Sequence, residues 1–282
     1  MNQFFRDTVI TECLWIMIIN KYPELMTFIH LWNWDFVKSC IHDNNFLRFG
    51  VLLSLFPSIL YCISTLGFLF NITITPWAFG SAYILSCLIG AHIFSFNKKS
   101  FFLLTLQNMI FLGFVVFISI LISGQIFDLS QDGQNYHQTT ILNLWQGWNP
   151  VHCLDCYSNN SHVLKFPKAV EITATGIVSL TGWVEHGKAV FFILILSSLC
   201  LGYFTILTYL PILNRSFAFF ISLIVVLNPI NIYQSFSYMV DWAVSLESAI
   251  CLYLILLCLK GSIQLLSIPL GLNIIFSIGI KE

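Results

Sequence analysis

Two aspartates, a tyrosine and a histidine are the residues of this chain whose types and spacing could move a proton. Asp132, Tyr136 and His137 fall within DLSQDGQNYHQTTILNLWQGWNP, Asp128 to Pro150, and Asp241 closes LNPINIYQSFSYMVD, over a hundred residues later. An ionised carboxylate can take the proton of an attacking hydroxyl or ligate a metal ion, and an imidazole can serve in either task. Both aspartates also have a structural reading. Aspartate is a favoured N-cap, and each stands where a helix is expected to begin. The two roles are compatible, because a helix N-terminus helps keep a carboxylate ionised. Glu247 is a third acid of interest. It lies nearly two turns beyond Asp241 inside an apolar segment, where a carboxylate must face a partner or a wet cavity. Glu185, His186 and Lys188 are the candidate partners.

The elements that must position these groups are membrane spans. Hydrophobic residues make up 57% of 282 and charged residues 9%, against roughly 25% charged in soluble domains. Mean hydropathy is +0.84. So little polar surface cannot coat a water-soluble globule, and lipid must solvate most of the chain. A net charge of −1 offers no basic face for a nucleic-acid partner. The predicted class is all-α, a polytopic membrane protein with seven spans: Phe49–Phe70, Trp77–Phe96, Phe101–Ser123, Ala189–Leu210, Phe217–Tyr233, Ala243–Leu259 and Ser262–Ile280. Residues 1–48, with Trp15, Trp32 and Trp34 among scattered charges, read as a cytoplasmic or interfacial region. Three spans then fill 49–124, a long loop 125–188, and four spans 189–282.

The connector Asn97-Lys98-Lys99-Ser100 is cytoplasmic by the positive-inside rule. Alternation places Arg6, Lys21, Lys38, Arg48, Arg215 and Lys260 on that side too, and puts the loop 125–188 and the turn at Asp241 outside. The N-terminal apolar run is interrupted by Glu12 and lacks a cleavable signal pattern.

In the outer loop Ile141, Leu144, Trp145 and Trp148 form one helical stripe, with Gln138, Thr139, Asn143 and Gln146 opposite. Gly147 and Pro150 should end that helix. A second helix is expected from Pro167 through Val170, Ala174, Ile177 and Val178. Both are expected to lie flat in the membrane interface. Cys62, Cys87, Cys200, Cys251 and Cys258 sit in apolar runs as small hydrophobes. Cys153 and Cys156 suit a local disulfide or free thiols better than zinc, for which His152, Asp155 and His162 offer an incomplete ligand set.

The stretches QDGQNYHQTTILNLWQGWNP and LNPINIYQSFSYMVDW resemble the GT-C superfamily of membrane glycosyltransferases, which includes protein O-mannosyltransferases and lipid A aminoarabinose transferases; the likeness covers about residues 131–260. It implies transfer of a sugar from a polyprenyl-phosphate donor to an acceptor hydroxyl on the outer face, with inversion. It implies Asp132 as the catalytic base. Asp241 would position the acceptor or a divalent cation such as Mg or Mn, which Asp132 would share. His137 and Tyr136 match the motif's imidazole and aromatic positions, and Asn149 and Pro150 its end. The leaving phosphate calls for a cation, for which Lys188, Lys165 and Lys168 are the outer candidates; Glu185 and His186 border the same place. A bacterial inner membrane is the implied location. Family members usually run longer, with more spans and often an outer domain, so the expectation is a fragment, a truncated product or a half served by a membrane partner. Two further readings stay open: a non-catalytic relative, and a transporter or flippase of lipid-linked saccharides, for which Glu247 is the best support.

Overall fold

A computed structural model describes residues 43–95, 97–153, 163, 169–238, 241–261 and 264–281. The chain divides into two compact units, Met1–Asn45 and Phe46–Glu282, and the account below concerns the second. The N-terminal region expected over residues 1–48 lies almost entirely outside the described residues.

The described residues are helical throughout, with no strand among them. Helices α1 (Asp43–Leu69), α2 (Pro76–Phe94) and α3 (Lys98–Gly124) come first. A π-helical turn Gly133–Gln138 runs into α4 (Thr139–Trp145), followed by α5 (Ala169–Thr181). A 3₁₀ turn Val184–Lys188 leads into α6 (Ala189–Tyr209), then α7 (Arg215–Val226), α8 (Pro229–Ser235), α9 (Asp241–Leu259) and α10 (Ser267–Lys281).

Five stretches are long and apolar enough to cross a membrane: Asn45–Leu69, Pro76–Phe94, Lys98–Gly124, Val184–Tyr209 and Asp241–Leu259. This is a multi-pass architecture, with five long helices where seven spans were expected. The two remaining segments are short. Helix α7 has 12 residues, about 18 Å at the α-helical rise, well under a bilayer's hydrocarbon thickness. It stops because Asn228 accepts a hydrogen bond from Asn231 N (2.9 Å) and Pro229 starts a new helix. Helix α10 has 15 residues, about 22 Å.

The core runs along α1, whose Val51, Leu52, Leu53, Leu55, Phe56 and Leu60 are fully buried. Polar side chains stitch it to its neighbours. Ser197 Oγ donates to Gly50 O (2.9 Å), and Asn273 Nδ2 donates to Ser54 Oγ (3.2 Å) while its Oδ1 accepts from Ser58 Oγ (3.3 Å).

The loop helices differ from the interfacial reading. In α5 every residue from Ala169 to Val178 is buried, so protein covers it on all sides. Its polar positions tolerate this because Thr173 and Thr175 return their hydroxyls to the helix's own carbonyls, Ala169 O and Glu171 O, each at 2.6 Å. Helix α4 packs on α5. Its expected stripe is buried at Ile141, Leu144 and Trp148, while Trp145 is exposed. Thr140 and Asn143 are buried as well, so this short helix is wrapped rather than laid on a surface. It ends as expected, with Gly147 at φ 104°, a left-handed conformation that favours glycine.

Candidate functional site

The site is built where α3 ends and α6 and α9 begin. Ser130 caps the helical segment entering it: Ser130 Oγ accepts from Gly133 N at 3.0 Å, and Gln134 N donates to Ser130 O at 3.1 Å. Asp128 supports the cap by accepting from Ser130 N (2.8 Å) and Ser130 Oγ (2.7 Å) on its Oδ1. Asp132 is therefore not the cap. It has helical backbone angles, makes no capping hydrogen bond, and is exposed.

Asp132 turns its carboxylate to the next-turn neighbour instead, accepting a hydrogen bond from the Tyr136 hydroxyl. The Tyr136 phenol is pushed up to about 12, first by desolvation, then by the charge and hydrogen bond of Asp132, then by the charges of Asp241 and Glu171. Three carboxylates thus act on one half-buried phenol, and Asp241, also exposed, shares a neighbourhood with Asp132 across a sequence gap of over a hundred residues. The backbone between Asp132 and Thr139 is wound as a π-turn, a geometry frequent at functional sites because it re-aims side chains within a helix.

Behind Tyr136 lies a buried pair. His137 (3% exposed) meets Glu171 (2% exposed) through Nδ1 and Oε1 at 2.8 Å. The tyrosine and histidine rings lie against each other, centroids 4.6 Å or less apart at 4.4 Å and tilted by 53°. Glu171 comes from the fully wrapped α5, which explains its burial, and its Oε2 has no hydrogen-bond partner.

A second network clamps the ends of three long helices together. Lys188 (1% exposed) pairs with Glu185 Oε2 at 2.5 Å and donates to Ile126 O and to Phe236 O. Glu185 Oε1 accepts from Gln138 Nε2 (3.1 Å), so the clamp touches the π-turn. Asp128 Oδ2 accepts from Tyr238 N at 2.7 Å, tying the loop after α3 to the loop before Asp241. The buried Tyr238 hydroxyl donates to Val184 O, and its phenol is pushed well up by desolvation, then by Glu185 and Asp128.

The residues expected at the site fall into groups. Asp132, Tyr136, His137 and Asp241 are brought together. Glu185 and Lys188 form the clamp, so the Lys188 ammonium is already occupied by a carboxylate and two carbonyls. His186 stands against Gly124 and Trp183, whose ring centroid is 5.5 Å away. Asn149 is structural: its Nδ2 donates to Phe68 O (3.0 Å) and Asn71 Oδ1 (3.3 Å), fastening the loop to α1. None of the three partners considered for Glu247 reaches it; both its carboxyl oxygens lack a hydrogen-bond partner. Lys165, Lys168, Cys156 and His162 lie outside the described residues. Cys153 is disulfide-bonded, which removes it as a zinc thiolate. Sequence reasoning missed Asp128 and Glu171. The available signal for Glu171 was a lone charge in AVEITATGIV.

Among the described residues no group of three His, Cys, Asp or Glu side chains could hold a metal ion, and no step below is routed through one. Comparison with family models, curated proteins and solved structures gives no match to this chain.

Proposed function

We propose that this protein is a membrane glycosyltransferase that moves a sugar from a polyprenyl-phosphate donor to an acceptor hydroxyl at the outer membrane face, with Asp132 as general base. The observation that carries the reading is the convergence of two exposed acids, Asp132 and Asp241, on Tyr136, at the end of a bundle of membrane-length helices. A lipid-linked donor keeps its phosphate at headgroup depth, so its chemistry belongs at a helix end rather than mid-membrane.

In this scheme the acceptor oxygen bonds to the anomeric carbon as that carbon's bond to the phosphate oxygen breaks, and the acceptor proton passes to Asp132. Polyprenyl phosphate leaves as an anion. Tyr136, held neutral across ordinary pH, donates one hydrogen bond to Asp132 and leaves its remaining lone pairs for the incoming hydroxyl. Asp241 positions the acceptor, and the buried Glu171 holds His137 beside them. The bacterial inner membrane is the compartment this chemistry suits.

Asp132→Asn tests the reading. Transfer from a polyprenyl-phosphate sugar to acceptor is expected to vanish while insertion and folding are kept; persisting transfer would make Asp132 a bystander. A transporter of lipid-linked saccharides is the second reading, and the unpartnered Glu247 inside α9 is the observation that favours it.

A further inference from the structure

Glu247 has no part in the site above and rests on neither functional reading. It is fully buried in the membrane-length helix α9. Neither carboxyl oxygen meets a hydrogen-bond donor. The helices packed against α9 offer no counter-ion. Helix α6 contributes Cys200, Tyr203 and Tyr209, α8 contributes Tyr233, and α10 carries no ionisable side chain before Lys281. On α9 itself the ionisable neighbours are Asp241, Cys251, Tyr253 and Cys258. Lys188, at the foot of α6, is held by Glu185 at 2.5 Å.

An isolated carboxylate in such surroundings is far costlier than the neutral acid, which needs only one hydrogen-bond acceptor and can share its proton with the nearest helix carbonyls. Two more buried polar groups nearby in the fold lack partners, Trp242 Nε1 on α9 and Ser198 Oγ on α6. The interior of this helix pair is therefore polar enough to admit water, and that water would be the route by which a proton arrives or leaves.

We propose that Glu247 is a proton-binding site within the membrane, a neutral carboxylic acid that releases its proton only when the packing around α9 opens to water. This is a site distinct from the Asp132–Asp241 pair, on the helix whose first residue is Asp241.

The test is labelling of the full-length protein in membranes with dicyclohexylcarbodiimide, an apolar reagent that adds only protonated carboxyls. The acid proton moves to a carbodiimide nitrogen as a carboxyl oxygen bonds the central carbon, so nothing is lost and the adduct is read directly by peptide mass. The expected result is adduct on Glu247 at neutral pH, persisting to about pH 8, with more than tenfold less on Asp132 and Asp241, which face water as ordinary carboxyls. Glu247→Gln should lose the adduct and keep the wild-type melting temperature, since a neutral amide replaces a neutral acid. Adduct that forms only below about pH 5, the range of an ordinary glutamate, would overturn the proposal. So would a Glu247→Gln protein that fails to fold, because that marks an ionised, partnered carboxylate. Sugar transfer is not among the readouts, so loss of the transferase reading leaves this one standing.

Discussion

Gly133 sits at the tightest point of the site, and replacing it by alanine turns the geometry into a number. An added Cβ would lie 1.9 Å from Asp128 Oδ2 and 2.5 Å from Ser130 Oγ. Neither oxygen is a loose end. Asp128 Oδ2 is held by Tyr238 N at 2.7 Å, and Ser130 Oγ by Gly133 N at 3.0 Å and Asp128 Oδ1 at 2.7 Å. The methyl must push Asp128 off Tyr238, leaving a buried backbone N–H without its charged acceptor. That costs about 3 kcal/mol, offset by about 1 kcal/mol from replacing a helical glycine. Gly133→Ala should therefore destabilise by about 2 kcal/mol, a fall of roughly 4–8 °C in melting temperature, measured on detergent-solubilised protein by intrinsic fluorescence. Asp128→Ala should cost about 3 kcal/mol by itself. The decisive measurement is the double variant. With the carboxylate gone there is nothing left for the methyl to displace, so the second change should add nothing to the first and the coupling should reach about 2 kcal/mol. Additive losses would refute the clamp between Asp128 and Tyr238.

Two other perturbations probe the same region. Asp132→Asn or Asp241→Asn should lower the Tyr136 phenol from about 12 toward its ordinary value, because each removes a negative charge that opposes phenolate; the ultraviolet titration difference against Tyr136→Phe reads this directly. Since the folded-state value lies above the unfolded one, the stability Tyr136 contributes is whole below about pH 10 and fades as pH rises to about 12. An unmoved titration in both variants would dissolve the three-acid neighbourhood. Lys188→Met should destabilise by about 3–5 kcal/mol, because it strands Glu185 as a buried anion, and adding Glu185→Met should restore part of the loss. Both changes are checked by thermal unfolding.

What the sequence determined is the solvent and the punctuation. So few charged residues among so many apolar ones leave lipid as the only medium that can accept the surface, and five apolar runs of adequate length follow. The turn at Gly147 was legible too, because glycine alone reaches its φ of 104° cheaply. The reading of Asp132 and Asp241 as acids worth watching came from residue type and place in the chain. It could not say whether they were caps; Ser130, two residues earlier, decided that for Asp132 by taking the cap itself.

Tertiary structure decided everything that depends on what covers the second side of a helix. Periodicity reports an apolar stripe, but a stripe is satisfied equally by lipid and by protein. The threonines of α5 hide their hydroxyls on their own backbone, so a segment that reads as amphipathic became the most enclosed helix in the bundle. The pairs that build the site, His137 with Glu171 and Asp128 with Tyr238, join residues 34 and 110 positions apart. No local pattern encodes such partners. They are chosen by which polar groups are buried together, because in a low-dielectric interior each must find the other or leave its charge uncompensated.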